Sequence, residues 1–172
     1  MNAAEEGRFK EDQSFFDNGK RSPYVQNLYY SIPLQAAAMT AAVPIRAPDG
    51  NVVGVLAARL RVEELDEIIS RRTGLRQTDD VFLVTTNNLF AAQPRFVSDP
   101  AILRRGIYTE PVKRCLAPSS GFVAAPDYRG EPVFAVYRWM PERNLCLVVK
   151  IEQAEALAPI RDFGGTLLLF SG

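Results

Sequence analysis

Histidine is absent from all 172 residues, which excludes His-dependent triads, His-ligated metals and the commonest proton carrier at neutral pH. Hydrolase and zinc-enzyme chemistries lose their usual residues. Cysteine is scarce as well, and Cys115 and Cys146 lack the paired spacing of zinc sites. They are expected as two buried thiols lying close together, with one disulfide as the alternative in an oxidising compartment. An excess of either charge is also missing, since 20 basic residues face 20 acidic ones. No whole-chain field draws nucleic acid or an anionic membrane, so no nucleic-acid partner is expected. The glycines of Phe163-Gly164-Gly165 are not followed by the Lys and Ser or Thr that complete a phosphate-binding loop. Long apolar runs are lacking too. Phe163–Phe170 is shorter than the roughly 20 residues that span a bilayer. Residues 163–172 are read as the start of a membrane-spanning helix, with a terminal helix tucked onto the fold as the alternative. The stretch Met1–Lys10 is polar and shows no signal-peptide core.

What is present is an ordinary folded composition, 47% apolar and 23% charged, enough for one domain or two small ones. Residues 1–22 read as a loop because Gly, Asn, Asp and Ser punctuate them. From Pro23 the pattern turns to strands: Tyr24–Tyr30, Ala38–Arg46 and Asn51–Leu60. The last two are joined through Asp49-Gly50, a step that favours tight reversal. Arg61–Arg72 then changes to helical period, with Leu65, Ile68 and Ile69 on one stripe and Gly74 as its stop. A hairpin of Val81–Thr85 and Leu89–Gln93 follows. Asp99-Pro100 predicts a helix start over 99–104, and Pro111 a second helix over 109–116. Three strands close the chain, Gly121–Ala125, Pro132–Trp139 and Leu145–Ile151, before a helix over 153–161.

The segment ending Leu56–Leu65 and the one ending Leu147–Leu157 share an order of strand, turn, strand and acidic helix start, so one supersecondary unit occurs twice. Residues 1–60 read as the C-terminal part of one module and 61–75 as a connecting helix. Residues 76–162 read as a complete module, with an antiparallel five-stranded sheet. The first three strands, taken without a covering helix, leave Val43, Ile45, Val53, Val55 and Leu56 partly unprotected. Association between chains is expected to cover them, with folding-over of the N-terminal segment as the alternative.

Three runs carry a resemblance to a known family: Arg72-Thr73-Gly74-Leu75 followed by Thr78–Val84, then Asp127–Trp139, then Glu155–Ile160. Together they resemble the membrane-proximal half of double Cache sensor domains, over about residues 23–163. The resemblance implies an α+β, PAS-like fold in which helices flank a central antiparallel sheet. It further implies the periplasmic or extracellular portion of an inner-membrane receptor, such as a histidine kinase, diguanylate cyclase or chemoreceptor. That receptor would bind a small molecule, form a homodimer, cross the membrane through the segment after residue 163, and need neither catalysis nor cofactor nor metal. The sequence departs from the family in lacking the long N-terminal helix and first strands of the membrane-distal module, and its amino-acid-binding motif.

The candidate ligand-binding residues are Arg95, Asp127, Tyr128, Tyr137 and Trp139. Arg95 follows the hairpin, where its guanidinium can bind a carboxylate through two parallel hydrogen bonds; the alternative is a surface arginine paired with Asp99. Asp127 and Tyr128 stand in the turn before the strand Pro132–Trp139. Alternation places Tyr137 and Trp139 on one face of that strand, as an apolar wall with polar tips or as plain core. Asp79 and Asp80 are adjacent on a strand and so point to opposite faces, which argues against a shared metal or acid–base site.

Overall fold

The computed structural model describes residues 13–32, 34–62, 67, 69 and 76–160. The connecting helix expected over 61–75 and the apolar run 163–172 therefore lie largely or wholly outside the described residues. The chain divides into two compact units, 1–64 and 65–172.

The first unit is a meander of β1 (Tyr24–Ser31), β2 (Ala36–Arg46) and β3 (Val52–Arg61), all antiparallel in that order. The Asp49-Gly50 reversal forms as read: Gly50 sits at φ +87°, the Ala47 amide donates to Asn51, and the Asp49 carboxylate accepts the Asn51 amide at 3.0 Å. Before β1 comes α1 (Ser14–Arg21), where the sequence predicts a loop. The reason is tertiary. Asp17-Asn18-Gly19 is a turn-like string, yet Gly19 is where the helix touches the sheet. A Cβ there would lie 2.8 Å from Ala42 Cβ and 2.9 Å from Val55 Cγ1. Phe15, one turn earlier, is buried with it. A helix this short gains its stability from packing rather than propensity.

This helix covers the face carrying Ala38, Thr40 and Ala42, all at most 3% exposed. The N-terminal segment thus supplies a cover on one side. The opposite face keeps Val43, Ile45 and Leu56 exposed, and Val53 is exposed beside them, as the alternation of β2 and β3 requires.

The second unit holds β4 (Asp80–Thr85), β5 (Ser120–Pro126), β6 (Pro132–Met140) and β7 (Leu145–Glu152) in the order β4-β7-β6-β5, all antiparallel. Four strands pair here, where the reading counted five. Leu89–Gln93 is joined only by single bridges, Val84 to Phe90 and Leu89 to Gly106. Its course is diverted because the Gln93 amide group turns to the following loop, donating to the Val97 and Asp99 carbonyls and accepting from the Ala101 amide.

The helix expected over 99–104 does not form. Leu103 takes a left-handed conformation, φ +55°, and donates its amide to Phe90, leaving only one turn closed on Ala101. The next helix does form, as α2 (Glu110–Leu116) with Pro111 in its first turn. A short α3 (Gln153–Ala156) follows β7.

The core of this unit gathers Phe82, Val84, Phe90, Ile107, Val112, Val133 and Val148, each at most 2% exposed. Phe82, Phe90 and Tyr128 meet edge to face at 5.4–5.7 Å, the arrangement that aromatic quadrupoles favour. Cys115 and Cys146 are bridged, with Cα atoms 6.0 Å apart. This corrects the expectation of two thiols. The bridge ties α2 to β7 across the core, which neither spacing nor composition reveals.

Candidate functional site

The C-terminal end of β7 carries a lysine in phase with the core: Cys146, Val148 and Lys150 alternate on one face, and Lys150 is 2% exposed. A buried ammonium demands a partner. That partner is Asp127 in the β5–β6 turn, whose Oδ2 accepts from Lys150 Nζ at 2.6 Å. The same carboxylate accepts the Arg129 and Glu131 amides at 2.7 and 3.1 Å and the Arg129 guanidinium at 3.0 Å. Burial opposes ionisation of Asp127, but Lys150 and the Arg129 donors outweigh it and hold its carboxyl below the usual range.

A second buried acid lies beside the first. Asp80, 0% exposed at the start of β4, accepts from the Tyr128 hydroxyl and from the Arg95 amide. Burial first, and then the Asp80 charge, push the Tyr128 hydroxyl well above its ordinary pKa, so it remains a proton donor. Arg95 Nη1 binds Asp79, at 2.8 Å from Oδ1 and 3.0 Å from the carbonyl. The expected alternative partner, Asp99, instead faces Arg105 at 3.8 Å. The two neighbouring aspartates thus converge on Arg95, Asp80 through its amide and Asp79 through its guanidinium, against the expectation that they face apart; Asp79 lies just before β4, outside the strand's alternation.

Phe96 binds the cluster from its ring face. Arg129, Lys150 and Arg95 stand 4.0, 5.0 and 5.2 Å from its centroid, within range of cation–π attraction. The constellation thus pairs Asp79 with Arg95 and Asp127 with Arg129 and Lys150, with Asp80 bonded to Tyr128 and the Arg95 amide beside them.

Against it lies a cavity of about 10 Å³, lined by Thr109, Asp127, Tyr128 and Lys150 with apolar Phe82, Pro111, Val133, Ala135 and Val148. That is room for one water at most. Thr109 Oγ1 is buried there without a hydrogen-bond partner among the described residues.

Of the five residues read from sequence, the structure gathers Arg95, Asp127 and Tyr128. Tyr137 and Trp139 lie on the same sheet face but further along β6, opposite Val148 and Cys146. Tyr137 arches over Gly121, where a Cβ would stand 2.9 Å from its hydroxyl, and Trp139 packs against the edge of the core. Neither lines the cavity. Sequence reading passed over Lys150, Arg129 and Phe96, and weighed Asp80 only with Asp79 as a shared metal or acid–base site, which it set aside. Lys150 had a visible signal, a lone cation at a core position of an otherwise apolar strand. The other three depend on loop paths that no local pattern encodes.

The Cache domain model matches residues 5–160: the chain belongs to the Cache domain family. Its fold is shared with the extracellular domain of mmHK1S-Z3, which carries a histidine-kinase designation, at 16% identity and TM-score 0.65 over 88% of this chain and 57% of that one. The ligand-binding domain of the Campylobacter jejuni chemoreceptor Tlp3, solved with L-norvaline, matches at 15% identity and TM-score 0.60, over 83% and 53%. The ligand-binding domain of the Pseudomonas fluorescens chemoreceptor CtaA, solved with L-leucine, matches at 14% and 0.58, over 88% and 63%. The chain spans a little over half the length of these structures. No curated protein sequence matches it. Among the described residues, no helix is long and apolar enough to cross a membrane.

Proposed function

We propose that this chain is an extracytoplasmic sensory domain that binds a small molecule and passes a conformational change to a membrane-linked output, without catalysis of its own. The observation that carries the reading is the buried Asp127–Lys150 pair, which lines a small cavity together with Tyr128, itself held by Asp80. Such a cluster costs desolvation that well-packed apolar residues would avoid, so a role beyond stability accounts for its presence. Opposite charges a few ångströms apart suit a small zwitterion: its ammonium would take the place of Lys150 on Asp127, and its carboxylate would meet Lys150 or Arg129. The relatives solved with L-norvaline and L-leucine support that ligand class.

Because the cavity holds no more than a water, binding requires the 92–109 loop to move off the sheet, while the Cys115–Cys146 bridge keeps α2 on it. The ligand would therefore act by drawing population toward an opened state. In keeping with this role, residues 1–60 belong to a membrane-distal module and 76–162 to the membrane-proximal one. Residues from 163 lead into the membrane, and the receptor works as a homodimer in the periplasm or outside the cell.

Thermal unfolding against an amino-acid panel tests the reading. One class should raise Tm in proportion to log concentration, as a ligand of the native state must, and Asp127→Asn should abolish the shift. A second reading, a structural module that binds nothing, is favoured by the small size of the cavity. A flat response across the panel would establish it over the first.

A further inference from the structure

Four polar residues line the cavity of the second unit, and three of them already have partners. Lys150 Nζ is bound to Asp127 at 2.6 Å. Both carboxylate oxygens of Asp127 accept hydrogen bonds, Oδ1 from the Arg129 and Glu131 amides and Oδ2 from Lys150 and the Arg129 guanidinium. The Tyr128 hydroxyl donates to Asp80 and accepts from the Phe96 amide at 3.4 Å. Thr109 is the fourth, and its buried Oγ1 has no hydrogen-bond partner among the described residues. A buried hydroxyl without a partner is a cost that folded proteins rarely carry.

The position of Thr109 makes the missing bond more telling. It stands just before α2 in extended conformation, φ −73° and ψ 159°, where a threonine side chain ordinarily caps the helix by accepting an amide of the first turn. Here the side chain makes no cap bond, although the Thr109 carbonyl accepts the Lys113 amide at 3.0 Å and the helix begins normally. Pro111, in that first turn, removes one of the amides the hydroxyl could have used. The side chain lines the cavity instead. Because the Cys115–Cys146 bridge holds α2 on the sheet, the hydroxyl at its head keeps its place when the preceding loop moves.

We propose that Thr109 is the specificity-determining residue of the sensory site, and that it selects small zwitterions bearing a neutral hydroxyl or carboxamide beside their charged groups. The proposal rests on the sensory reading and deepens it. Asp127 takes the ligand's ammonium, Lys150 or Arg129 takes its carboxylate, and Asp80 keeps Tyr128 occupied. The ligand's third group then meets a wall of Phe82, Pro111, Val133, Ala135 and Val148, beside which the Thr109 hydroxyl is ready to bond. An apolar side chain entering there leaves that hydroxyl unpaired, whereas a polar one satisfies it. A site built to hydrogen-bond a ligand group discriminates against the analogue that lacks it.

Titration calorimetry of the full chain with L-threonine and L-valine, which differ by a hydroxyl in place of a methyl, tests it together with thermal unfolding of the ligand-free protein. L-Threonine should bind about 10-fold more tightly than L-valine. Thr109→Val should bring the two within about 2-fold of each other, and Thr109→Ser should keep the preference. Without ligand, Thr109→Val should melt a few degrees above the native chain, because it removes a buried hydroxyl that bonds nothing. A lower melting temperature would overturn the proposal by showing that the hydroxyl already makes a structural bond. Equal affinities in the native chain, or a preference that survives Thr109→Val, would overturn it and leave the sensory reading in place. So would binding of neither amino acid while others of the wider panel still raise Tm. A panel that is flat throughout removes the sensory reading and this proposal with it.

Discussion

The two units solve the same packing problem by different chemistry. In each, a short helix lies across one face of a three-strand meander. In the first unit the join is a glycine: Gly19 lets α1 approach until its backbone nearly meets Ala42 and Val55. In the second the join is covalent, from Cys115 in α2 to Cys146 in β7. The second unit also has β4 and the 89–107 loop, and its covered face is closed by Phe90, Ala101 and Ile107, all nearly inaccessible. A tight steric join needs no particular redox compartment, whereas a bridge resists separation of helix and sheet once oxidising conditions have formed it. The comparison teaches that where a cover is well filled, the fold can accommodate buried charge. The buried ion pair of Asp127 and Lys150 belongs to the better covered unit.

Breaking that charge should have the largest effect. Lys150→Ala leaves the Asp127 carboxylate buried without its ammonium and is expected to cost about 3–5 kcal/mol. Denaturant unfolding followed by exchange should show the loss in residues 76–160 alone. A cost below 1 kcal/mol would mean that Arg129 compensates fully. Next comes the bridge: the Cys115→Ala, Cys146→Ala double variant should lose about 2–4 kcal/mol, again in the second unit only. If both units lose protection equally, the helix-to-sheet joins are not independent devices. Gly19→Val is the corresponding insult to the first unit. Extra carbons where a Cβ already falls below 3 Å should cost about 1–3 kcal/mol, read as faster exchange over 36–61 with 120–152 unchanged.

Acid should discriminate more gently. Because the folded Asp127 carboxyl ionises below its ordinary value, its contribution is fully present above the unfolded value of about 3.9. It is lost as pH falls through the lower folded value. Stability of the second unit should therefore fall below pH 4 in the native chain, and the fall should be shallower in Asp127→Asn. Equal slopes would remove Asp127 from the acid response. The smallest effect is expected at Glu155, whose half-buried carboxylate accepts the Gln77 and Thr78 amides at 2.8 Å. Glu155→Gln should accelerate exchange of those two amides and leave the melting temperature unchanged.

Much of this architecture was legible before folding. Alternating apolar residues marked the meanders, Asp49-Gly50 marked a reversal that needs positive φ, and Pro111 marked a helix start; each is a local preference that neighbours in sequence express. The repeat of one unit was visible for the same reason. Asp127, Tyr128 and Arg95 were named from their turn and loop positions, but their partners were not, since Lys150, Asp80 and Asp79 reach them across 15 to 48 residues of chain. What the sequence determined by itself is the class: an α+β fold of antiparallel strands with the family's runs in order. What only the tertiary structure decided is where covers form. Asp17-Asn18-Gly19 is helical because Gly19 fits against Ala42, the cysteines are bridged because α2 crosses β7, and Leu103 breaks its helix to bond Phe90. In each case a long-range contact outweighed a local preference worth about 1 kcal/mol or less.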